Sequence, residues 1–420
     1  MTVLAIAIFV AALAVIAFDW VHRTKAALVG AGLVVTLGVI ELDHAIEAVD
    51  WSTLGLLTGM MILVGLTEPT GIFTYLALRA AQLSNGKPLR LIFLLALVTG
   101  VTSAFLDNLT SIRLVVPITL LLADILRISA IPLVIVEILA SNIGGTATLI
   151  GDPPNILIGT RVPELSFLDF IVNLAPVSIF TLLVVTGLLY LIFRKQLVVA
   201  PDRIAELERL DPARDVRESR YVKRSIAVLI GTIVAFFLHA PLHLEPAVVA
   251  LGGATVLLVI ASDDVEDALE RVEWSTLFFF LGLFVMVGAL EEQGVISEIA
   301  DWLAEATGSD VAQGMAILWG SAAGSALVDN IPFTAAMIPV VEQLQAENTE
   351  FDDGIWWALA LGACFGGNAT MIAAAANVAA TGVLERSGQP VSFGRFLAVG
   401  LPMTLVSLVI ATVYLLLFQL

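Results

Sequence analysis

Two Asp-Asn doublets lie inside long apolar stretches of this chain, one in each half. Asp107 and Asn108 stand within SAFLDNLTSIRLVVPI, and Asp329 and Asn330 stand within SALVDNIPFTAAMIPV. A carboxylate in an apolar membrane segment is expensive to keep there and usually marks an ion or proton path. Asp and Asn also cap helix starts, because their side-chain oxygens accept free backbone N–H groups. One Asn would suffice as a cap, so the paired aspartates favour ion or proton coupling.

A second pair of polar motifs follows the doublets. The stretch SNIGGTATLIGDPPN begins at Ser141, and its counterpart ACFGGNATMIAAAAN begins at Ala363. Glycine pairs weaken a helix and prolines remove backbone donors, so each stretch predicts a broken helix. Such a break frees carbonyls for a cation and helix N-termini for an anion or polar substrate. Close helix packing through small residues is the alternative explanation for the glycine pairs.

These motifs define a candidate site. Asp107 and Asp329 are assigned to proton or ion coupling, and Arg113 is a candidate charge partner of Asp107 or a substrate contact. Glu137 fits either a proton relay or a structural group, and Cys364 is expected to be inert. No catalytic or metal-ligating residue is predicted. The candidate substrate-binding residues are Asn108, Thr110, Asn142, Gly144, Gly145, Thr146, Thr148, Asn155, Asn330, Thr334, Gly366, Gly367, Asn368, Thr370 and Asn377.

Composition places these motifs in a membrane. Of the 420 residues, 59% are apolar and 14% are charged, and the mean hydropathy is +0.98. Apolar runs of about 20 residues, long enough to cross a bilayer, recur along the whole chain. The sequence therefore predicts an all-α polytopic membrane protein, and its net charge of −18 arises mostly in loops. The absence of a P-loop motif and the single cysteine argue against an ATPase, an internal disulfide and a cysteine-based metal cluster.

The motifs recur in the same order in both halves, which indicates an internal duplication. Each half is expected to contain a re-entrant hairpin, with the Asp-Asn doublet at its tip, and a broken helix at the membrane midplane. About ten spanning helices accompany the two hairpins. The predicted segments are repeats at 1–194 and 226–420, a charged cytoplasmic linker at 195–225, hairpins near 91–126 and 313–345, and broken helices near 131–160 and 355–382.

Loop charges predict that the two repeats cross the membrane in opposite senses. Lys and Arg are concentrated near Arg23, near Arg90, in the central linker and near Arg395, so these loops are expected to be cytoplasmic. The N-terminus is then expected outside the cytoplasm, in a multi-pass protein of the inner membrane. Inverted repeats are typical of secondary transporters, whose sites lie at the repeat interface near the midplane.

The stretches SAFLDNLTSIRLVVPI and ASNIGGTATLIGDPPNILIG resemble the ion transporter superfamily. Within it, they resemble the permeases that include arsenical-resistance (ArsB-type) pumps and the melanosomal P protein. The resemblance covers nearly the whole chain. It implies two inverted repeats and a transport domain that moves like an elevator against a fixed scaffold. It also implies two partners, a second copy in a homodimer and a cytoplasmic ATPase subunit.

The hairpin tips depart from the family pattern. Dicarboxylate and citrate relatives carry Ser-Asn-Thr there, whereas this chain has Asp107 and Asp329 in the first position. Ionised aspartates repel an anion, so the leading hypothesis is proton-coupled efflux of arsenite or antimonite, uncharged trihydroxy solutes that suit Asn, Asp and Thr side chains. A sodium/proton antiporter is the first alternative, and an anion permease is the second. The expected partners are this small inorganic solute and the lipid bilayer, with no nucleic acid and no cofactor besides the proton or sodium gradient.

Overall fold

The computed structural model describes residues 1–18, 20–212, 216, 220–261, 265–347 and 353–420. These residues form α-helices and one short 3-10 turn, with no strand among them. The first ten helices are α1 (Thr2–Ala17), α2 (Arg23–Thr36), α3 (Leu42–Glu47), α4 (Trp51–Thr67), α5 (Ile72–Leu83), α6 (Pro88–Leu106), α7 (Asn108–Leu126), α8 (Ala130–Gly145), α9 (Pro153–Arg161) and α10 (Phe167–Phe193).

A short helix in the linker, α11 (Pro201–Glu208), separates these ten helices from ten more. The second set is α12 (Arg220–Leu238), α13 (Pro246–Ala261), α14 (Val265–Glu270), α15 (Trp274–Glu292), α16 (Val295–Thr307), α17 (Asp310–Leu327), α18 (Asn330–Glu347), α19 (Gly354–Gly366), α20 (Ala375–Arg386) and α21 (Phe393–Phe418). The helices α1 to α10 correspond in order to α12 to α21.

Two glycines illustrate this correspondence at the residue level. Gly71 and Gly294 occupy the N-cap positions of α5 and α16, with φ angles of 76° and 75°. Glycine adopts this left-handed conformation without the steric cost that a Cβ brings. The same turn is therefore encoded twice, by the same residue type.

One bundle of the molecule, which we name the scaffold, is built from helices of both repeats. The helix α4 packs on α13, and α2 packs on α15. A Cβ on Gly59 would lie 2.6 Å from the backbone of Ala250, and one on Gly282 would lie 2.7 Å from the backbone of Ala27. These equivalent contacts bring the helix backbones close together, as small residues do in membrane bundles.

The other bundle contains the hairpins and the broken helices. In each repeat the hairpin's first helix packs along the helix that later breaks: α6 on α8, and α17 on α19. The hydroxyls of Ser103 and Ser325 bond the carbonyl oxygens of Ser141 and Ala363, both at 2.7 Å. The short helices after the breaks cross between repeats, since α9 contacts α18 and α20 contacts α7.

The two halves run in opposite directions through the molecule. Gln419, just after α21, donates to Asn173 near the start of α10 at 2.9 Å. Gln389, just before α21, accepts from the backbone of Ala130 at the base of the first hairpin. That base adjoins the linker, where the side chain of Ile204 lies against Gly86. The equivalent helices α10 and α21 are therefore antiparallel, and we name the two ends of the molecule the linker end and the far end.

The all-helical polytopic fold is confirmed. Within the described residues, seven helices are long and apolar enough to cross a membrane, including both arms of the first hairpin. Four shorter apolar helices, α1, α8, α13 and α19, accompany them. The helices before the two breaks, α8 and α19, are completely buried, so they lie inside the protein rather than against lipid.

The charged linker predicted at 195–225 contains a helix, α11, that is docked on the protein. Leu207 of α11 is fully buried, and Ile204 packs on Gly86 at the base of the first hairpin. The side chain of Gln82 donates to the carbonyl oxygens of Leu207 and Leu210 at 3.2 and 2.8 Å. A short amphipathic pattern within the charged run is thus sufficient to form α11 and to dock it on the protein. Residues 213–215 and 217–219 of the linker lie outside the described part.

Candidate functional site

The two hairpin tips meet on one carboxylate. The side-chain amides of Asn108 and Asn330 both donate to Oδ1 of Asp152, at 3.2 and 3.0 Å. Asp152 is the last residue of the first break, directly before α9. The backbone N–H of Asn330 also donates to the carbonyl of Ala373 in the second break, at 3.1 Å. Tips and breaks from both repeats thus converge at one place in the interior.

Asp107 is a helix cap, as one reading of the sequence expected. Its Oδ1 accepts from the backbone N–H of Thr110 and its Oδ2 from the hydroxyl of the same residue, both at 2.8 Å. The residue has a φ of 88°, which is unusual outside glycine and makes the hairpin turn abrupt. It is half-buried and lines a small cavity, so capping and solvent contact coexist in this side chain.

Asp329 has a different environment. Its Oδ1 accepts from the backbone N–H of Ile331 at 2.9 Å, and its Oδ2 lies 3.8 Å from the Arg23 guanidinium. Arg23 begins α2 in the scaffold, contacts the hydroxyl of Thr276 and lies over the Phe279 ring at 5.2 Å. One hairpin tip is therefore tied to the scaffold by charge.

Asp152 was not among the residues singled out from the sequence. The prolines and glycines of its motif account for the helix break without the acid. The signal was available, because Ala374 stands at the corresponding place in the second motif. Asp152 is completely buried, and its Oδ2 has no hydrogen-bond partner among the described residues.

An asparagine network joins the two breaks. The amide of Asn142 donates to Oδ1 of both Asn368 and Asn377, at 2.9 and 3.0 Å. Asn142 also accepts from the amide of Asn108 at 3.0 Å. All four side chains are buried. The network links the first hairpin to both broken helices. A displacement of the first hairpin tip would therefore disturb hydrogen bonds in the second repeat.

The carbonyls freed by the breaks are largely occupied by the protein itself. The amide of Asn155 donates to the carbonyls of Thr146 and Thr148, at 2.9 and 2.8 Å. Its counterpart Asn377 donates to those of Gly367 and Thr370, at 2.6 and 2.9 Å. The expectation that these oxygens face a cargo is not met in this conformation, because the asparagines satisfy them.

Several other candidate residues have structural contacts. A Cβ on Gly144 would collide with the backbone of Gly100, and one on Gly366 would lie 2.6 Å from the Ala322 carbonyl; Gly145 likewise lies against Gly151. The threonine hydroxyls bond backbone carbonyls: Thr146 to Asn142, Thr148 to Ala104, Thr334 to Asn330 and Thr370 to Ala326. The residues among the candidates that reach the cavity between the tips are Asp107, Asn108, Thr110 and Asn330.

Arg113 pairs with Glu273 rather than with Asp107. The ion pair joins α7 to the start of α15 in the scaffold, and the Arg113 side chain is more than half exposed. The direct pair of Arg113 with Asp107 is therefore not formed in this conformation, and the alternative role of Arg113 as a substrate contact stays a prediction. Glu273 was not selected from the sequence, although it precedes the Trp-Ser-Thr-Leu motif shared by both repeats.

Glu137 and Cys364 are fully buried. Glu137 accepts from the Thr119 hydroxyl through Oε1, and its Oε2 has no partner among the described residues. The Cys364 thiol lies 3.7 Å from Oδ1 of Asn155, and it also interacts with the carboxyl group of Asp152 as a weak hydrogen-bond donor. Cys364 thus lies at the convergence point, which the sequence did not predict.

Two cavities lead to the tips. The larger, of 670 Å³, contains His22, Arg23 and Glu385 near the linker end and reaches Asp329 and Arg113. The smaller, of 30 Å³, lies between the tips and the scaffold side chains Leu57, Met61 and Phe280. It has room for a water-sized group. The site is open towards the linker end in this conformation.

The chain matches a known transporter family over most of its length. A family model described as CitMHS, citrate transporter, matches residues 13–362. The chain belongs to this family, within the ion transporter superfamily. An uncharacterized transporter of Mycobacterium bovis is 44% identical over 99% of this chain and 98% of that protein. A 46 kDa membrane protein of Mycobacterium leprae is 41% identical, with the same coverage of both chains.

The resemblance to the P protein is also confirmed. The P protein of Mus musculus is 35% identical over 98% of this chain and 60% of its own length. Among solved structures, the Alcanivorax borkumensis YdaH transporter superimposes with a TM-score of 0.58 at 18% identity, covering 88% of this chain and 86% of that one. That similarity supports the fold alone. This protein is therefore a membrane transporter of the CitMHS family.

Proposed function

We propose that this protein is a proton-coupled secondary transporter that exports arsenite or antimonite. The observation that carries the coupling is the convergence of three carboxyl groups, those of Asp107, Asp152 and Asp329, on the contact between the hairpin tips. Acids inside membrane proteins mark proton and ion paths because their burial is costly without such a role. The three acids have different partners: Thr110 for Asp107, the tip asparagines for Asp152, and Arg23 for Asp329.

The cargo assignment follows from hydrogen-bonding chemistry. The polar residues that line the cavity between the tips are Asp107, Asn108, Thr110 and Asn330 of the hairpins and Arg23, Glu273 and Thr276 of the scaffold. The two scaffold charges are paired with Asp329 and Arg113, and the remaining amide, hydroxyl and carboxyl groups donate and accept hydrogen bonds without demanding a charged ligand. An uncharged trihydroxy solute uses both functions at once. The three acids disfavour an anionic cargo.

An elevator movement is supported by the contact between the two bundles. The scaffold presents apolar side chains of Leu57, Met61 and Phe280 to the hairpin tips. Apolar surfaces can slide past each other without breaking hydrogen bonds. Arg23–Asp329 and Arg113–Glu273 are the polar links across this boundary at the site, and both would exchange partners during the movement.

An anion cargo is the second candidate, and one observation favours it. His22, Arg23 and Arg113 line the 670 Å³ cavity, and the family model carries the description citrate transporter. Cationic side chains in an entrance attract anions. A sodium/proton antiporter, which would use the acids as cation ligands, is the third candidate.

Flux measurements on proteoliposomes separate these candidates. Purified protein is reconstituted with a pH-sensitive dye inside, and arsenite, sodium or citrate is applied as a gradient in parallel vesicles. Arsenite-driven proton movement is expected, with none from sodium or citrate beyond that of protein-free vesicles. Proton movement driven by sodium alone, or by citrate alone, would replace the arsenite assignment by the corresponding alternative.

A further inference from the structure

Asp152 occupies the N-cap position of α9 without capping it. No backbone N–H of α9 donates to its side chain. The next two residues, Pro153 and Pro154, have no N–H to offer. The carboxyl group instead faces the hairpin tips. Helix capping, which explains both oxygens of Asp107, therefore does not explain this acid.

The two oxygens of Asp152 have unequal environments. Oδ1 accepts from the amides of Asn108 and Asn330, whereas Oδ2 has no hydrogen-bond partner among the described residues. The side chain has no solvent exposure. An ionised carboxylate with a bare, buried oxygen is strongly unfavourable, because the desolvation of the charge is not repaid. The geometry therefore favours a proton or a cation on Oδ2 over an ionised, unpaired oxygen in this conformation.

The charged neighbours of Asp152 add to this requirement. The titratable groups that act on it are the Cys364 thiol of α19, which is a weak hydrogen-bond donor, and the carboxyl groups of Asp107 at the start of α7 and Asp329 before α18. No Lys, Arg or His is among them in the described part of the chain. The nearby guanidinium groups of Arg23 and Arg113 pair with Asp329 and Glu273 instead. A proton on Oδ2 removes one negative charge from a site that has no cation to balance it.

We propose that Oδ2 of Asp152 carries the coupling proton, and that Asp107 and Asp329 connect this atom with the cavities. This inference rests on the proposed function and names the atom at which its proton is bound. In the closed arrangement the Oδ2–H bond is intact, and Oδ1 holds both tip amides. When the tips separate and water enters, the O–H bond breaks, the proton passes to water, and the carboxylate stays behind.

The acid is present in one repeat alone. Its counterpart is Ala374, at the N-cap position of α20. The inference therefore predicts one central proton for the two repeats together, although each tip has its own aspartate.

Infrared difference spectroscopy on the purified full-length protein tests the proposal without any cargo. The carboxylic acid C=O band is recorded in mildly acidic against alkaline buffer, for wild-type protein and Asp152→Asn. Asn keeps an oxygen for the two tip amides and places an NH2 group where the protonated hydroxyl stands. Asp124→Asn, which removes an exposed acid on α7, is the matched control. One pH-dependent acid band is expected to disappear in Asp152→Asn and to persist in Asp124→Asn.

Two outcomes overturn the proposal. An unchanged set of titrating bands in Asp152→Asn means that this acid exchanges no proton. Loss of its band on addition of sodium chloride at constant pH means that Oδ2 is a sodium site. Thermal unfolding in detergent checks that the variant is folded, and Asp152→Ala, which copies Ala374, supplies a second variant. If the band titrates but arsenite moves no protons, the cargo assignment fails and the proton assignment stands.

Discussion

The guanidinium group of Arg161 contacts the carboxylate of Glu342 at two points, with Nε 2.8 Å from Oε1 and Nη2 3.3 Å from Oε2. Arg161 ends α9 of the first repeat, and Glu342 lies on α18 of the second. The pair therefore joins the repeats at the far end, while the large cavity opens at the linker end. It holds together the elements that must part if the site is to open in the other direction.

Removal of this pair should favour opening at the far end. Both side chains are partly exposed, 44% and 32%, so the pair is expected to contribute about 0.5–1 kcal/mol after solvent screening. This corresponds to a two- to fivefold change in the open population, by the relation of about 1.4 kcal/mol per tenfold. Ala335 is a buried residue of α18 that lines a small cavity together with Arg161. Glu342→Gln should accelerate thiol labelling of Ala335→Cys, in a Cys364→Ser background, by roughly that factor. Glu298 is an exposed acid on α16, and the control variant Glu298→Gln should leave the labelling rate unchanged. An equal labelling rate in both variants would show that the Arg161–Glu342 pair does not restrain opening at the far end.

The hairpin aspartates should be needed for coupling but not for folding. Asp107→Asn and Asp329→Asn preserve the capping geometry, because Asn caps about as well as Asp. Each variant should lose cargo accumulation driven by a proton gradient in inverted vesicles, while downhill exchange persists. Asp329→Asn should also lower the retained exchange rate relative to Asp107→Asn, since it leaves Arg23 without its partner at the site. Full gradient-driven transport by both variants would leave capping as the role of these residues.

The break glycines should be required for packing. Gly144→Ala and Gly366→Ala place a methyl group against the backbone of a neighbouring helix. Such overpacking costs about 1–3 kcal/mol, so both variants should unfold at lower temperature in detergent than the wild-type protein. Gly231→Ala is the matched control, because a Cβ there meets open space and alanine favours helix. Unaltered unfolding temperatures for the break variants would show that these helices can move apart at little cost.

The linker should separate into a structural and a replaceable part. Leu207→Asp inserts a charge into the buried contact of α11 with the first hairpin, and it should reduce transport and lower the unfolding temperature. Replacement of residues 210–219 by a Gly/Ser linker should leave cargo affinity within about threefold, or ~0.65 kcal/mol, because the contact of Gln82 with residue 210 uses the backbone carbonyl. Wild-type transport and a wild-type unfolding temperature in Leu207→Asp would mean that the docking of α11 is irrelevant. A larger loss of affinity in the linker replacement would mean that residues 210–219 contribute to the site.

Much of the architecture was predictable because the same sequence motifs occur in both halves of the chain. The doublet at Asp107 and the glycines before each break indicated hairpins and broken helices, and α7 begins at Asn108 while α8 ends at Gly145. Local chemistry determines such features. The docking of α11 was not predictable, since it depends on a surface assembled from distant helices.

The site was predicted in part. The tip asparagines and Asn142 do converge, but the acid that they surround, Asp152, was obscured by its neighbouring prolines. The partners of Arg113 and Asp329 come from the scaffold, Glu273 and Arg23. Spacing within one motif carries no information about which residue of another bundle lies opposite. A sequence argument can therefore place a charge in a membrane more readily than it can name the group that balances it.

The unequal pairing of Asp152 with Ala374 has a consequence for kinetics. Inverted repeats that were chemically identical would give inward-facing and outward-facing states of equal energy, with the same half-saturation concentration on either side of the bilayer. Asp152 has no equivalent acid in the second repeat, and the Arg23 guanidinium pairs with the aspartate of one hairpin tip, Asp329. These two differences remove the equality of the states. In a secondary carrier, as proposed, the gradients still set the overall driving force, but we expect the protein to favour one state and to bind its cargo unequally at its two faces. Such a directional bias would arise from a few substitutions within an otherwise repeated frame.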